Sequence, residues 1–177
     1  MTTKAKTTSA TTKQRAATRA SGTQVPEPGR TRLTVFAYGS NLDEQQMRQR
    51  CPEAVVLGRA RLPNHAMVFG GYSARWDGPV ASLGRLDGAE LQGVLYGLTE
   101  ADLARLDACE GVPFAYGRVT KLVVDEHGRR RRAQVYLLAG EVELGEPGRR
   151  YYGVIRSAYA RLGFDDALLR RAAEGWR

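Results

Sequence analysis

Between Met1 and Arg32 the chain has almost no large apolar residue, so any core must be built from residues 33–177. A run of Thr, Ala, Lys and Arg cannot bury enough surface to offset its chain entropy, and residues 1–32 are expected to be a disordered basic tail. Gln24-Val25-Pro26-Glu27-Pro28-Gly29 reads as the linker into the domain. The same boundary divides the charge. Of the formal +8, residues 1–32 carry +6, with seven Lys/Arg against Glu27 alone, and residues 33–177 carry +2, with twenty basic and eighteen acidic residues. Basicity that would suggest nucleic acid thus sits mainly in the tail, and the near-neutral domain disfavours nucleic acid as a partner. A solubilising extension, a transit segment and a nucleic-acid arm stay open for the tail. It lacks the apolar stretch of a secretory signal.

Residues 33–177 suffice for one domain with a sizeable core. The longest apolar runs, Leu33–Tyr38 and Val135–Ala139, fall far below the about 20 residues of a membrane span. Cys51 and Cys109 cannot form a disulfide scaffold, and no CxxC or Cys/His cluster has zinc spacing. A reducing, cytoplasmic setting without metal or cofactor is the expectation.

Leu33-Thr34-Val35-Phe36-Ala37-Tyr38 is β-rich and is broken by Gly39-Ser40-Asn41. A helix is expected from Leu42 to Arg50, with Asp43 and Glu44 in its first turn, Arg48 and Arg50 in its last, and Pro52 after it. Backbone N–H groups converging at such a turn can receive a carboxylate, phosphate or oxyanion. The plainer alternative makes Gly39 a turn residue at positive φ and Asn41 the helix cap. Val55–Ala60, Val80–Leu83 and Leu91–Leu98 read as short strands around a Gly-rich segment from Phe69 to Pro79. Gly93 and Gly97 suggest bends or close backbone approach, as in a small barrel.

Thr99 to Glu110 has the marks of a short helix. Thr99 is a cap with Asp102 three residues on, Leu98 and Leu103 form a staple, and Leu103 and Leu106 face the core. Gly111 and Val112-Pro113 end it. Glu110 therefore stands at the helix C-terminus, where the dipole disfavours negative charge, with Asp107 one turn earlier on the same face. A general acid/base working near neutrality fits that placing, and so does a solvated surface acid. Val119–Val124 and Ala133–Ala139 form a hairpin, with Arg129–Arg132 as a solvated edge or, less simply, a binding patch. Tyr151-Tyr152 leads into one helix and Asp165–Ala173 forms another. His65 and His127 have no Ser or Cys partner by spacing and read as structural, and Cys109 reads as core.

Phe36-Ala37-Tyr38-Gly39-Ser40-Asn41-Leu42, combined with Leu106-Asp107-Ala108-Cys109-Glu110-Gly111-Val112, resembles the γ-glutamylcyclotransferases, a superfamily that includes butirosin-type and AIG2-like proteins. Phe69-Gly70, Gly78–Leu83, Gly93–Tyr96, Tyr116 and Tyr151 follow in the expected order, so the resemblance runs from Leu33 nearly to the C-terminus. It implies an α+β fold, a small mixed β-barrel with flanking helices. It also implies cyclisation of a γ-glutamyl group to 5-oxoproline with release of an amine, amino acid or peptide, as in glutathione metabolism. Glu110 would be the catalytic acid/base. Tyr38, Gly39, Ser40, Asn41 and Leu42 would hold the substrate through the turn, and Tyr116 and Tyr151 would line the pocket, with Tyr152 an alternative to Tyr151. The small-molecule γ-glutamyl substrate supplies its own nucleophile, so no Ser, Cys, metal or cofactor is needed. A non-catalytic ligand-binding member of the fold is the other reading. The leaving group and the oligomeric state are not specified.

Overall fold

The computed structural model describes residues 32–176, together with Met1. The expected tail and linker lie outside the described residues except for Met1 and Arg32. That guanidinium donates to the carbonyls of Glu53 at 2.6 Å and Gly97 at 3.3 Å, so Arg32, read above as the end of the tail, is part of the domain wall.

Five strands, β1 (Leu33–Ala37), β2 (Val55–Ser73), β3 (Gly78–Leu98), β4 (Tyr116–Asp125) and β5 (Arg130–Leu138), close a barrel in the order β1-β3-β2-β4-β5. β1 and β5 close it as a parallel pair through Val35 opposite Gln134, and the other pairings are antiparallel. Among the described residues four α-helices flank it: α1 (Glu44–Arg50), α2 (Glu100–Glu110), α3 (Arg149–Leu162) and α4 (Ala167–Ala173). The expected mixed barrel with flanking helices is the fold.

The expected short strands are instead two long ones. β2 and β3 run 19 and 21 residues and pair along most of their length. Register shifts at Val56/Gly58, Pro63/His65 and Gly70/Ser73 let this ribbon bend around the barrel, and the Gly-rich stretch holds the hairpin turn that separates β2 from β3. Gly93 permits the tightest crossing. A Cβ there would stand 2.4 Å from the Ala37 carbonyl oxygen and 2.5 Å from the Phe36 ring. Phe36, Leu62, Phe69, Leu95 and Tyr96 from the strands and Leu106 and Ile155 from the helices are buried in one hydrophobic core.

α2 matches its reading closely. Thr99 accepts the Asp102 N–H at 3.2 Å, Leu103 and Leu106 are buried, and Gly111 takes the left-handed conformation at φ 68°. The start of α1 departs from expectation. Ser40–Leu42 form one turn of 3₁₀ helix, and α1 is capped by Asp43, whose carboxylate accepts the Gln46 N–H at 2.8 Å. Asn41 is therefore not a cap. α4 begins two residues later than expected. Two arginines of the Arg129–Arg132 run clamp the hairpin turn, with Arg131 at 2.7 Å and Arg129 at 3.1 Å from Asp125. Those hydrogen bonds, Arg131 first, hold the Asp125 carboxyl well below the usual carboxylate range.

Candidate active site

Two loops far apart in sequence meet at one mouth of the barrel: the 3₁₀ turn after β1 and the C-terminal end of α2. Hydrogen bonds beneath them set their spacing. Cys51, just after α1, donates its thiol to the Asp102 carbonyl at 3.4 Å, and the Glu53 N–H donates to Asp102 Oδ2 at 2.9 Å. Asp102 thus serves α1 as well as the first turn of its own helix.

Between the loops lies a cleft of about 40 Å³ walled by β1, Tyr38–Asn41, Glu110, Tyr116, Tyr136 and Tyr151. Ser40, Glu110, Tyr116 and Tyr151 are shared with an outer vestibule of about 300 Å³, which adds Arg50, Tyr72, Arg75, Trp76 and Cys109. Glu110 sits at the junction. Asn41 donates Nδ2 to its Oε1 at 2.8 Å, and Arg50 donates Nη1 to the same oxygen at 2.7 Å. Arg50 Nη1 also reaches Asn41 Oδ1 at 2.9 Å, and Gln46 Nε2 donates to Ser40 Oγ at 2.9 Å. Oε2 of Glu110 has no hydrogen-bond partner among the described residues. The side chains of Glu110 and Arg50 are 13% and 9% exposed, so this is a sheltered ion pair.

The tyrosines form the opposite wall. Tyr116 donates its hydroxyl to the Ala81 carbonyl at 2.9 Å, and Tyr151 accepts the Ala81 N–H at 3.1 Å. One residue of β3, Ala81, therefore orients both. Tyr38 donates to the Tyr136 carbonyl at 2.6 Å. Burial pushes the Tyr151 phenol up to about 12 and raises Tyr38 and Tyr116 as well, so all three stay neutral donors near neutral pH.

The turn offers less backbone than expected. The Leu42 N–H is taken by the Gly39 carbonyl at 3.0 Å, and the Leu42 side chain is buried in the core, so Leu42 is not a cleft residue. The N–H groups of Ser40 and Asn41 open the 3₁₀ turn and have no partner within it. Gly39 has φ −97°, so the expected positive φ is absent. What it needs is room, because a Cβ would lie 3.2 Å from Ala81 Cβ and 3.5 Å from the Tyr151 hydroxyl. Tyr151 lines the cleft, and Tyr152 instead lies under Arg156, 6.0 Å from the ring centroid.

Other expectations divide. Asp107 does not join Glu110. Its carboxylate accepts the Tyr136 hydroxyl at 2.6 Å and pairs with Arg118 at 3.0 Å, so the neighbour of Glu110 is a cation where an acid was expected. Cys109, in the last turn of α2, is exposed at the vestibule rim and is not core. His65 and His127 lie outside both cavities. Sequence reasoning missed Arg50, read only as complementing the α1 dipole, and it missed Gln46. Nothing local signals that an arginine ending a seven-residue helix will be buried. Its Nε is buried without a partner among the described residues, a defect that costs about 1–3 kcal/mol in an ordinary interior.

A barrel whose mouth holds one sheltered carboxylate against neutral phenols has the groups to receive a small substrate and exchange a proton with it. The family described as gamma-glutamyl cyclotransferase, AIG2-like, matches residues 35–153, and the chain belongs to it. It is an enzyme of the γ-glutamylcyclotransferase type. The mouse gamma-glutamylcyclotransferase is 32% identical over 125 residues, covering 68% of this chain and 66% of that protein. The human one is 29% identical over 136 residues, covering 74% and 72%. The chain thus spans about two thirds of the length of these relatives. A solved structure named gamma-glutamyl cyclotransferase superposes with a TM-score of 0.70 at 28% identity, covering 75% of this chain and 80% of that one.

Proposed function

We propose that the cleft converts a γ-glutamyl compound to 5-oxoproline and a free amine, with Glu110 carrying the proton between the two nitrogens. The observation that supports this most is the free Oε2 of Glu110 at the junction of cleft and vestibule. The glutamyl half occupies the inner cleft and the departing half the vestibule. Oε2 takes a proton from the α-ammonium, and the freed amine attacks the γ-carbonyl carbon to close a five-membered ring. As the ring carbonyl re-forms, Glu110 returns that proton to the departing nitrogen and the C–N bond breaks; Glu110 then moves the second proton of the ring nitrogen to the released amine, leaving a lactam N–H and an ammonium, so no net proton is gained or lost. The N–H groups of Ser40 and Asn41 and the neutral Tyr151 phenol supply donors to the substrate α-carboxylate or the developing oxyanion. Holding the amine against its own carbonyl is the larger part of the catalysis, since a positioned intramolecular attack needs no enzyme nucleophile.

The active chemistry requires no metal in this scheme. Two unpaired cysteines, Cys51 buried and Cys109 exposed, suit a reducing, cytoplasmic setting. Among the described residues no helix is long and apolar enough to cross a membrane. The leaving group is tested with a panel of glutathione, γ-glutamyl-alanine, γ-glutamyl-lysine, a γ-glutamyl amine and a γ-glutamylated antibiotic precursor. Release of 5-oxoproline from at least one supports the reading. Tight binding of the panel without 5-oxoproline from any member would favour a non-catalytic binding protein.

A further inference from the structure

Arg50 sits where a bidentate salt bridge could form, yet it makes a different contact. Arginine and carboxylate commonly pair as two parallel N–H···O bonds, which occupy both carboxylate oxygens. Here one nitrogen, Nη1, reaches one oxygen, Oε1 of Glu110, at 2.7 Å, and the same nitrogen holds Asn41 Oδ1 at 2.9 Å. Asn41 Nδ2 adds a second bond to Oε1 at 2.8 Å. Arg50 Nε meanwhile stays buried without a partner among the described residues, so the guanidinium gives up a donor to keep this aim. The terminal torsion of a free glutamate is broad, and its two oxygens exchange easily. With Oε1 loaded by two donors they are no longer equivalent.

We propose that Arg50 is a positioning residue that pins Oε1 of Glu110, so that Oε2 alone takes and returns the proton. The proposal rests on the proton-carrying role given to Glu110 above. The guanidinium stays charged throughout and forms no bond to substrate. Its role is to hold one carboxylate oxygen toward the cavity while the substrate nitrogens exchange a proton there. Local rules broken at one point, as by the orphaned Nε, are expected where geometry serves function.

The test is a double-mutant cycle in the full chain with γ-glutamyl-alanine as probe, comparing wild type, Arg50→Met, Arg50→Lys, Glu110→Gln and the two double variants. If Arg50 acts through Glu110, Arg50→Met lowers kcat about 10–100-fold with KM changed less than about 3-fold, and Arg50→Lys restores part of it. In the Glu110→Gln background, Arg50→Met should then alter the residual rate less than about 2-fold, because the proton-carrying oxygen it served is gone. An equal loss in both backgrounds would mean that Arg50 merely supports the fold, and the proposal fails. A raised KM with unchanged kcat would make Arg50 a substrate ligand, and the proposal fails again. Should Arg50→Met not fold by circular dichroism, the Arg50→Lys cycle applies the same additivity criterion. Full activity in Glu110→Gln would overturn the proton-carrying reading itself. Loss in Glu110→Gln alongside a normal Arg50→Met overturns only the present proposal.

Discussion

Asn41 donates its side-chain amide to Glu110 across 2.8 Å, joining a turn that follows the first strand to a helix end 69 residues later. That bond, and not a helix cap, is what Asn41 contributes. The cap of α1 is Asp43.

Stability and activity therefore separate at neighbouring positions. Asp43→Ala removes the cap and should cost about 0.5–2 kcal/mol of stability, together with an exposed ion pair to Arg161 at 2.8 Å. Its kinetics should remain those of the wild type below the melting temperature. Asn41→Ala removes a donor to Glu110 and should lower kcat while the protein melts almost normally. Melting curves and steady-state kinetics on both variants check this, and the reverse pattern would restore Asn41 as a cap.

Glu110→Gln is isosteric and can still accept from Asn41 and Arg50, but it cannot carry the proton. Loss of a general acid/base costs roughly 10²–10⁴-fold in rate, so 5-oxoproline formation should fall by that factor. Replacing a charged partner of the 9%-exposed Arg50 should also lower the melting temperature. Near wild-type turnover in a folded variant contradicts the mechanism.

Gly39→Val tests the space at the cleft. The backbone at φ −97° accepts valine, but its Cβ begins 3.2 Å from Ala81 Cβ and 3.5 Å from the Tyr151 hydroxyl. The branches should displace Tyr151 from Ala81, lowering kcat/KM at least about 10-fold, a loss larger than the modest destabilisation expected of overpacking. A melting curve and kinetics on one preparation decide it. Activity falling only in step with stability would leave Gly39 a packing residue.

The buried phenols predict the alkaline limb of stability. Tyr38, Tyr116 and Tyr151 are raised chiefly by burial, Tyr151 to about 12, above the ordinary value of 10.0. A group raised on folding holds its proton more tightly in the folded state. Its stabilising contribution is therefore complete below pH 10 and is lost as pH rises from there through the folded value. The melting temperature should decline steeply between about pH 10 and 12. Tyrosinate absorbance should appear for these residues together with unfolding. Their titration near pH 10 in the folded protein would show that the cleft is open to water.

The helix from Glu100 to Glu110 was legible in the sequence to its ends, because caps, staple and glycine stop act within a few residues. The same holds for the β1 strand, the hairpin of β4 and β5, and the placing of Glu110 at a helix terminus. The strand–turn motif and Glu110 also carried the family resemblance. What the sequence left undetermined depends on pairs distant along the chain. β2 and β3 became one bent ribbon because bulges were absorbed by cross-strand pairing that no local window contains. Asp107 turned to Tyr136 and Arg118, and Arg50 turned inward to Glu110, because those partners arrive from other elements once the barrel has closed. Residue type and local periodicity determined which groups could do chemistry. Closure of the barrel decided which oxygen of Glu110 would remain free to do it, since hydrogen-bond partners are chosen by proximity in space and not along the chain.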